Sequence, residues 1–197
     1  VRDQIPGQRY HPGDRIRVLL LNVSKTSKGP RLIVSRTHPD LIRRLFEQEI
    51  PEVGERVVEI KQIVREPGSR AKVAVLSHNL KVDPVGACVG VKGSRVRPII
   101  AELGGERIDL ITYSDDPARY IANALSPAKT LNVPLNNEAK SSEVSVGDDM
   151  LSLTIGKAGQ NVRMAARLTG WHIDIKSESQ RREAIEAKTS ATRDVLT

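Results

Sequence analysis

Near the C-terminal end, Leu151-Ser152-Leu153-Thr154-Ile155-Gly156-Lys157-Ala158-Gly159-Gln160-Asn161-Val162-Arg163 joins a short apolar segment, a Gly-x-x-Gly loop and the first turn of a helix. These residue types in this order suit an anionic backbone. Two glycines allow a tight turn and remove the Cβ atoms that would hold a phosphate away. The helix that follows directs free N–H groups, and the positive end of its dipole, at whatever occupies the loop. Lys157 adds a point charge. One copy alone carries little weight, because a chain with 14 glycines in 197 residues produces roughly one Gly-x-x-Gly by chance.

A second copy changes that. Val89-Gly90-Val91-Lys92-Gly93-Ser94-Arg95-Val96 lies 66 positions upstream of Ile155-Gly156-Lys157-Ala158-Gly159-Gln160-Asn161-Val162. Beyond the loops, Leu103-Gly104-Gly105-Glu106-Arg107-Ile108-Asp109-Leu110 parallels Leu168-Thr169-Gly170-Trp171-His172-Ile173-Asp174-Ile175 after deletion of one residue. These are the only two Gly-x-x-Gly matches in the chain, and each encloses a lysine. The repeat favours small tandem domains over one large one.

Other chemistries fail on spacing. Gly86-x-x-x-Gly90-x-x-Gly93 is neither a dinucleotide fingerprint nor a Walker loop. His11, His38, His78 and His172 are scattered, without carboxylates or cysteines at ligand spacing. Helix capping accounts for the pairs Asp115-Asp116 and Asp148-Asp149 better than metal ligation does. No nucleophile has a partnered base. Neither catalysis, nor a metal, nor a cofactor is expected.

Composition points the same way. The net charge of +7 is the footprint of a polyanionic partner. With one phenylalanine, one tryptophan and three tyrosines, the chain lacks the base-stacking aromatics of an RRM sheet. Cys88 stands alone, which excludes a disulfide framework and cysteine-based zinc, and reads as a small buried apolar residue. No run is apolar enough for a membrane span and no signal peptide is visible, so a cytoplasmic location is expected. The chain begins at Val1 rather than methionine, as a fragment would.

The surrounding elements must hold the loops. Residues 1–36 read as β structure, with a strand over Arg15–Val23, a polar hairpin loop at Lys25–Pro30 and a return strand at Arg31–Ser35. A lone hairpin is marginal in water, so this segment reads as the closing half of a barrel. From Thr37, a plausible N-cap, the period becomes helical, with Leu41, Ile42, Leu45 and Phe46 on one face until Pro51. Strands over 56–64 and 70–76 follow, then a short helix from Asp83-Pro84 into the Gly90 loop. A helix with Val96, Ile99, Ile100 and Leu103 inward and a strand over 107–113 complete the unit. The second unit begins at Ser114-Asp115-Asp116-Pro117 with Ala118, Ile121, Ala122 and Leu125 inward. It continues with strands over 130–135 and 143–146, a short helix capped by Asp148-Asp149, a helix with Val162, Ala165 and Ala166 inward, and a strand over 171–175. Beyond Ser177 the residues are polar, a helix or a linker.

Two α-β-β-α-GxxG-α-β units are the pattern of type II KH domains. The expected fold class is therefore α+β, two tandem type II KH domains preceded by a partial β-barrel (OB-fold) segment. The expected divisions are 1–36 (barrel segment), 37–113 (first KH domain), 114–177 (second KH domain) and 178–197 (polar tail or linker). From about residue 5 to 176 the chain also resembles the NusA family of bacterial transcription termination/antitermination factors, whose central region is an S-one-type OB barrel followed by two KH domains. Residues 33–39, 65–68, 83–90, 121–129 and 159–171 carry that resemblance, including Arg65-Glu66-Pro67-Gly68, Ala124-Leu125-Ser126-Pro127-Ala128-Lys129 and Gly159-Gln160-Asn161 through Gly170-Trp171. Three departures stand out. The sequence contains no counterpart of the family's N-terminal polymerase-binding domain or of the first half of the barrel, and the loops have Val91 where members often have proline and Ala158 where many have glutamate.

The reading implies a chain that binds single-stranded RNA. A KH module clamps about four nucleotides, its GxxG loop holding the backbone. Gly90, Gly93, Gly156 and Gly159 supply close approach, with Val91 and Ala158 beside them. Lys92 and Lys157 supply charge, as does Arg163. The amides of Ser94, Arg95, Gln160 and Asn161 would point at phosphate oxygens. Base identity is read elsewhere, and the candidates are the apolar groove walls with Ile108 and Ile173, for which core packing is the competing explanation. The resemblance further implies nascent RNA, RNA polymerase and other elongation factors as partners, with no membrane contact and a monomeric state. Three other readings stay open: a KH protein of ribosome assembly or translation, the RNA-tethering part of a nuclease such as polynucleotide phosphorylase, and a KH scaffold that binds protein instead.

Overall fold

Prolines and short polar side chains decide where the first helices start. Pro39 sits in the first turn of α1 (Pro39–Glu49), where its missing N–H would have had no partner in any case. The cap is His38, whose Nδ1 accepts from the Asp40 amide at 3.1 Å, one residue later than Thr37. Ser35 Oγ instead takes the amides of Thr37 and His38, so the turn before the helix is already bonded. Pro51 closes α1 and opens the short α2 (Pro51–Gly54). The computed structural model describes residues 3–194, with side chains to residue 187. The chain divides into two units, Val1–Thr112 and Tyr113–Thr197.

In the first unit, β1 (Leu19–Thr26) and β2 (Gly29–Ser35) form an antiparallel hairpin. Residues 15–18 do not extend β1, because β2 ends at Ser35, the partner of Leu19, and offers no strand beyond it. The Arg17 amide and guanidinium bond Glu102 and Glu49 instead. The ribbon leaves Leu20, Val23 and Leu32 more than half exposed, since a two-stranded hairpin has no second layer to cover both of its faces. Arg36, 4% exposed, fastens its base: Nη1 donates to the Arg17 carbonyl and Glu102 Oε1, and Nη2 to the Glu102 carbonyl.

β3 (Val58–Glu66) pairs antiparallel with β4 (Arg70–Ser77), and β5 (Arg107–Thr112) adds parallel to β4, giving the order β3-β4-β5. Between β4 and β5 run α3 (Pro84–Val89) and α4 (Val96–Glu102), with the first Gly-x-x-Gly loop between them. Leu41, Ile42, Leu45 and Phe46 of α1 pack with Val73 and Val75 of β4 in the core, the face that the helical period marked.

The second unit repeats this order. α5 (Pro117–Ala124) is capped by Asp116, which accepts from the Ala118 amide, and it buries Tyr120, Ile121, Ala124 and Leu125. The strand expected over 130–135 splits into β6 (Thr130–Asn132) and β7 (Leu135–Asn136), both antiparallel to β8 (Ser141–Val146). Pro134 has no N–H for the ladder, and its carbonyl is taken by Ser142 Oγ. After a 3-10 turn at Asp148–Met150 come α6 (Leu151–Ile155), the second loop, α7 (Gln160–Thr169) and β9 (His172–Ser177), parallel to β8.

Two local expectations give way to tertiary contacts. α7 turns Asn161, Met164, Ala165 and Leu168 inward and leaves Val162 and Ala166 half-buried. Asp148 does not cap α6. Its carboxylate accepts from the amide and hydroxyl of Ser179, and bonds from Ser177 and Ser179 hold it below the usual carboxylate range. The residues after Ser177 form α8 (Glu178–Asp194), opened by a reciprocal capping box in which Ser177 and Gln180 each accept the other's amide.

Candidate nucleic-acid interface

The two loops adopt the same backbone. Gly90 has φ 71°, ψ 173° and Gly156 has φ 77°, ψ 169°, a region populated essentially by glycine alone. Each is followed by a single 3-10 turn, Val91–Gly93 or Lys157–Gly159. Within it, Lys92 and Ala158 both sit at φ 51°, ψ 31°, a left-handed conformation that costs a non-glycine residue about 1 kcal/mol. Gly93 (φ 79°) and Gly159 (φ 70°) return the chain to the next helix. Two segments 66 residues apart thus hold one strained turn.

The two glycines of a loop serve different purposes. A Cβ on Gly156 would stand 2.9 Å from both the Asn161 amide nitrogen and Cβ, and one on Gly90 would stand 2.7 Å from Arg95 Cγ. The first glycine is therefore demanded from inside the protein. A Cβ on Gly159 would meet nothing within 4 Å, so that glycine keeps the outer face open.

Exposed on these turns are Val91, Lys92, Lys157 and Ala158. The lysines are not equivalent: Lys157 occupies the second loop position and Lys92 the third. The amides of Gly93, Ser94 and Arg95 close the first turn by bonding the carbonyls of Gly90, Val91 and Val89, and that of Gln160 bonds Lys157. The Ser94, Arg95 and Gln160 amides therefore do not aim outward as the sequence suggested. The first amides of each 3-10 turn, Val91 with Lys92 and Lys157 with Ala158, have no carbonyl within the turn to bond and are the donors open to a ligand.

The side chains of Arg95 and Asn161 are also turned inward. Arg95 Nη1 bonds Glu52 and the Ala87 carbonyl. Asn161, fully buried, bonds the carbonyls of Leu125 and Thr154. Arg163 folds back so that Nη1 donates to the Ala158 carbonyl at 3.0 Å. The repeat offset maps Arg163 onto Arg97, which sequence reasoning missed. Arg97 Nε lies 3.2 Å from the Cβ position of Gly93, so each loop carries an arginine over its far end. The two base-reading candidates lie in or on the cores: Ile173 is 7% exposed, and Ile108 is half-buried against the first core. The exposed apolar groups at the loops are instead Val91, 82% exposed, and Leu153 of α6, 46% exposed.

Other chemistry finds little support. Burial pushes the Cys88 thiol up to about 12, far from a reactive thiolate. Among the described residues no three His, Cys, Asp or Glu side chains gather to hold a metal ion, and no helix is long and apolar enough to cross a membrane.

Comparison with known proteins agrees with this geometry. Residues 36–113 match the NusA-like first KH domain and residues 117–183 the NusA-like second KH domain. The transcription termination/antitermination protein NusA of Halalkalibacterium halodurans is 54% identical over 181 residues, covering 92% of this chain and 47% of that protein. Those of Bacillus subtilis and Thermus thermophilus are also 54% identical, over 93% and 87% of this chain and 49% and 44% of their own lengths. The chain spans about half the length of these curated relatives. Among solved structures, the crystal structure of APE1850 aligns with a TM-score of 0.50 and 25% identity, covering 68% of this chain and 96% of that one. Through its two KH domains, the chain belongs to the NusA family.

Proposed function

We propose that this chain holds single-stranded RNA by its phosphate backbone at two tandem clamps, and that the RNA is the nascent transcript of a bacterial RNA polymerase. Its role there is to modulate pausing, termination and antitermination, in contact with the polymerase and other elongation factors. It acts in the cytoplasm and as a monomer. The observation that carries this reading is the duplicated turn: glycine-only torsions at Gly90 and Gly156, an open face at Gly159, and an exposed lysine on each turn. Outward amides and a lysine recognise phosphate whatever the base, and two linked clamps gain avidity from their tether. The role of the relatives in termination and antitermination, which their name states, supplies the biological setting.

Anisotropy of a labelled single-stranded RNA across a salt series tests the reading. Lys92→Asp and Lys157→Asp should each weaken binding and flatten the dependence of log K on log salt by roughly 0.7 for each phosphate no longer neutralised. The double variant should lose most of the affinity. Binding by the double variant equal to that of the unaltered chain would show that the loops are structural turns only.

A further inference from the structure

The residue two positions beyond each loop's second glycine does one job in both domains with different chemistry. In the first, Arg95 Nη1 donates to the Ala87 carbonyl at 2.7 Å and to Glu52 Oε2 at 2.8 Å. In the second, Asn161 Nδ2 donates to the carbonyls of Thr154 and Leu125, both at 3.0 Å. Ala87 and Thr154 lie near the ends of α3 and α6, the helices that enter the loops. Carbonyls there have no partner within their own helix. Glu52 belongs to α2, which follows α1, and Leu125 caps α5. Each side chain therefore joins the helix into the loop, the helix out of it and the end of the domain's first helical segment.

The first glycine of each loop is part of the same device. Arg95 Cγ and Asn161 Cβ occupy the space that a Cβ on Gly90 or Gly156 would need. Asn161 is fully buried, and the Arg95 side chain is 33% exposed. Glu52 is held below the usual carboxylate range, first by its own backbone amide and then by Arg95.

We propose that Arg95 and Asn161 are positioning residues that hold the two phosphate loops in binding geometry, with Glu52 serving the first loop by anchoring Arg95. The inference rests on the RNA-binding reading above. It assigns the first clamp an ionic pin and the second a neutral one. Removing a pin misplaces the loop amides without taking a charge away from the phosphates. Removing a phosphate ligand takes one neutralised phosphate out of the salt dependence. The two roles therefore separate in one titration.

The test uses the full chain carrying Lys157→Asp, so that the first clamp reports alone. A short labelled single-stranded RNA of mixed sequence is titrated across a salt series. Arg95→Met keeps the stem beneath Gly90 and removes the pin, whereas Glu52→Ala removes only the anchor and leaves the Arg95 charge in place. Both variants should bind about tenfold more weakly, the scale on which removal of a supporting side chain degrades a site, with the salt slope of their parent. A slope flattened by roughly 0.7 in Arg95→Met would overturn the proposal by making Arg95 a phosphate ligand. Unchanged affinity in Glu52→Ala would overturn it, as would tighter binding with a steeper slope, which would mean that Glu52 withholds Arg95 from RNA. Protection of the buried Cys88 thiol checks folding. If Arg95→Met fails that check, Glu52→Ala decides. A parent chain that does not bind RNA at all would sink the functional reading instead, a distinct outcome.

Discussion

Glu106→Ala is expected to destabilise the first unit by about 3–5 kcal/mol, because it leaves a buried guanidinium without its counter-charge. Arg65 and Glu106 are both 0% exposed at their side chains. Arg65 Nε and Nη2 donate to the two carboxylate oxygens at 2.8 and 2.9 Å, in the side-on geometry of a bidentate pair. Glu106 Oε2 also accepts the Gly68 amide at 3.0 Å, and Arg65 Nη1 donates to the His38 carbonyl at 3.1 Å. One carboxylate thus fastens the β3–β4 turn to the start of β5, and its arginine reaches the cap of α1. Cys88, the only cysteine and fully buried, is a probe for this unit: reaction with a thiol reagent reads its opening. The labelling equilibrium should move toward the open form by about two to four orders of magnitude. Replacing both partners, as Arg65→Met with Glu106→Leu, should recover most of the loss, since a buried pair is commonly worth no more than an apolar one of equal volume. A loss below about 1 kcal/mol in Glu106→Ala, the scale of an exposed pair, would show that water reaches this site.

In the second unit, Gly156→Ala should cost about 3 kcal/mol and Gly159→Ala about 1 kcal/mol, although both glycines belong to one loop. At Gly156 the torsions are available to almost nothing but glycine, and a Cβ would press on the Asn161 backbone nitrogen at 2.9 Å. Backbone has no rotamer by which to escape, so the loop or α7 must shift. At Gly159 the conformation is ordinary left-handed helix, φ 70° and ψ 15°, with open space in front. Its substitution carries only the torsional penalty. Trp171, the one tryptophan and a member of this unit, reports urea unfolding of both variants by fluorescence. The comparison also separates stability from binding. Gly159→Ala should stay folded while placing a methyl group on the outer face, so that it loses RNA affinity out of proportion to its small loss of stability. Equal, small costs at the two positions would refute the assignment of the first glycine to internal packing.

The two Gly-x-x-Gly loops share a logic. The loops are held by contacts aimed into the protein: a glycine over Arg95 or Asn161, carbonyls at helix ends, and, behind the first loop, an ion pair to Glu52. The exposed side chains on the turns are few, Val91 with Lys92 and Lys157 with Ala158. The clamp on a phosphate backbone proposed above needs little more than a lysine and free turn amides, because such contacts carry no base identity.

Much of this architecture is legible in the amino-acid order, because it is encoded by local physics. The internal repeat, the order of helices and strands, the torsional demand for glycine in both loops and the apolar stripe of Leu41, Ile42, Leu45 and Phe46 all follow from residues within a few positions of each other. Glycine torsions, proline's missing N–H and the two periods of apolar residues act at that range. The capping box of α8, Ser177 with Gln180, was present as a spacing, although the segment read equally well as a linker. The partners of charged and polar side chains, by contrast, emerge only from the packed fold. Arg65 meets Glu106 from 41 residues away and Arg95 meets Glu52 from 43, while Asp148 leaves its own helix for Ser179. The same holds for the inward face of α7. Asn161 looks like a surface residue by type, yet it is buried because two carbonyls, from α6 and from the end of α5, converge on its amide. Nothing local records that convergence. The donors of a buried polar side chain need acceptors, and for Asn161 Nδ2 those acceptors exist only once the helices have packed.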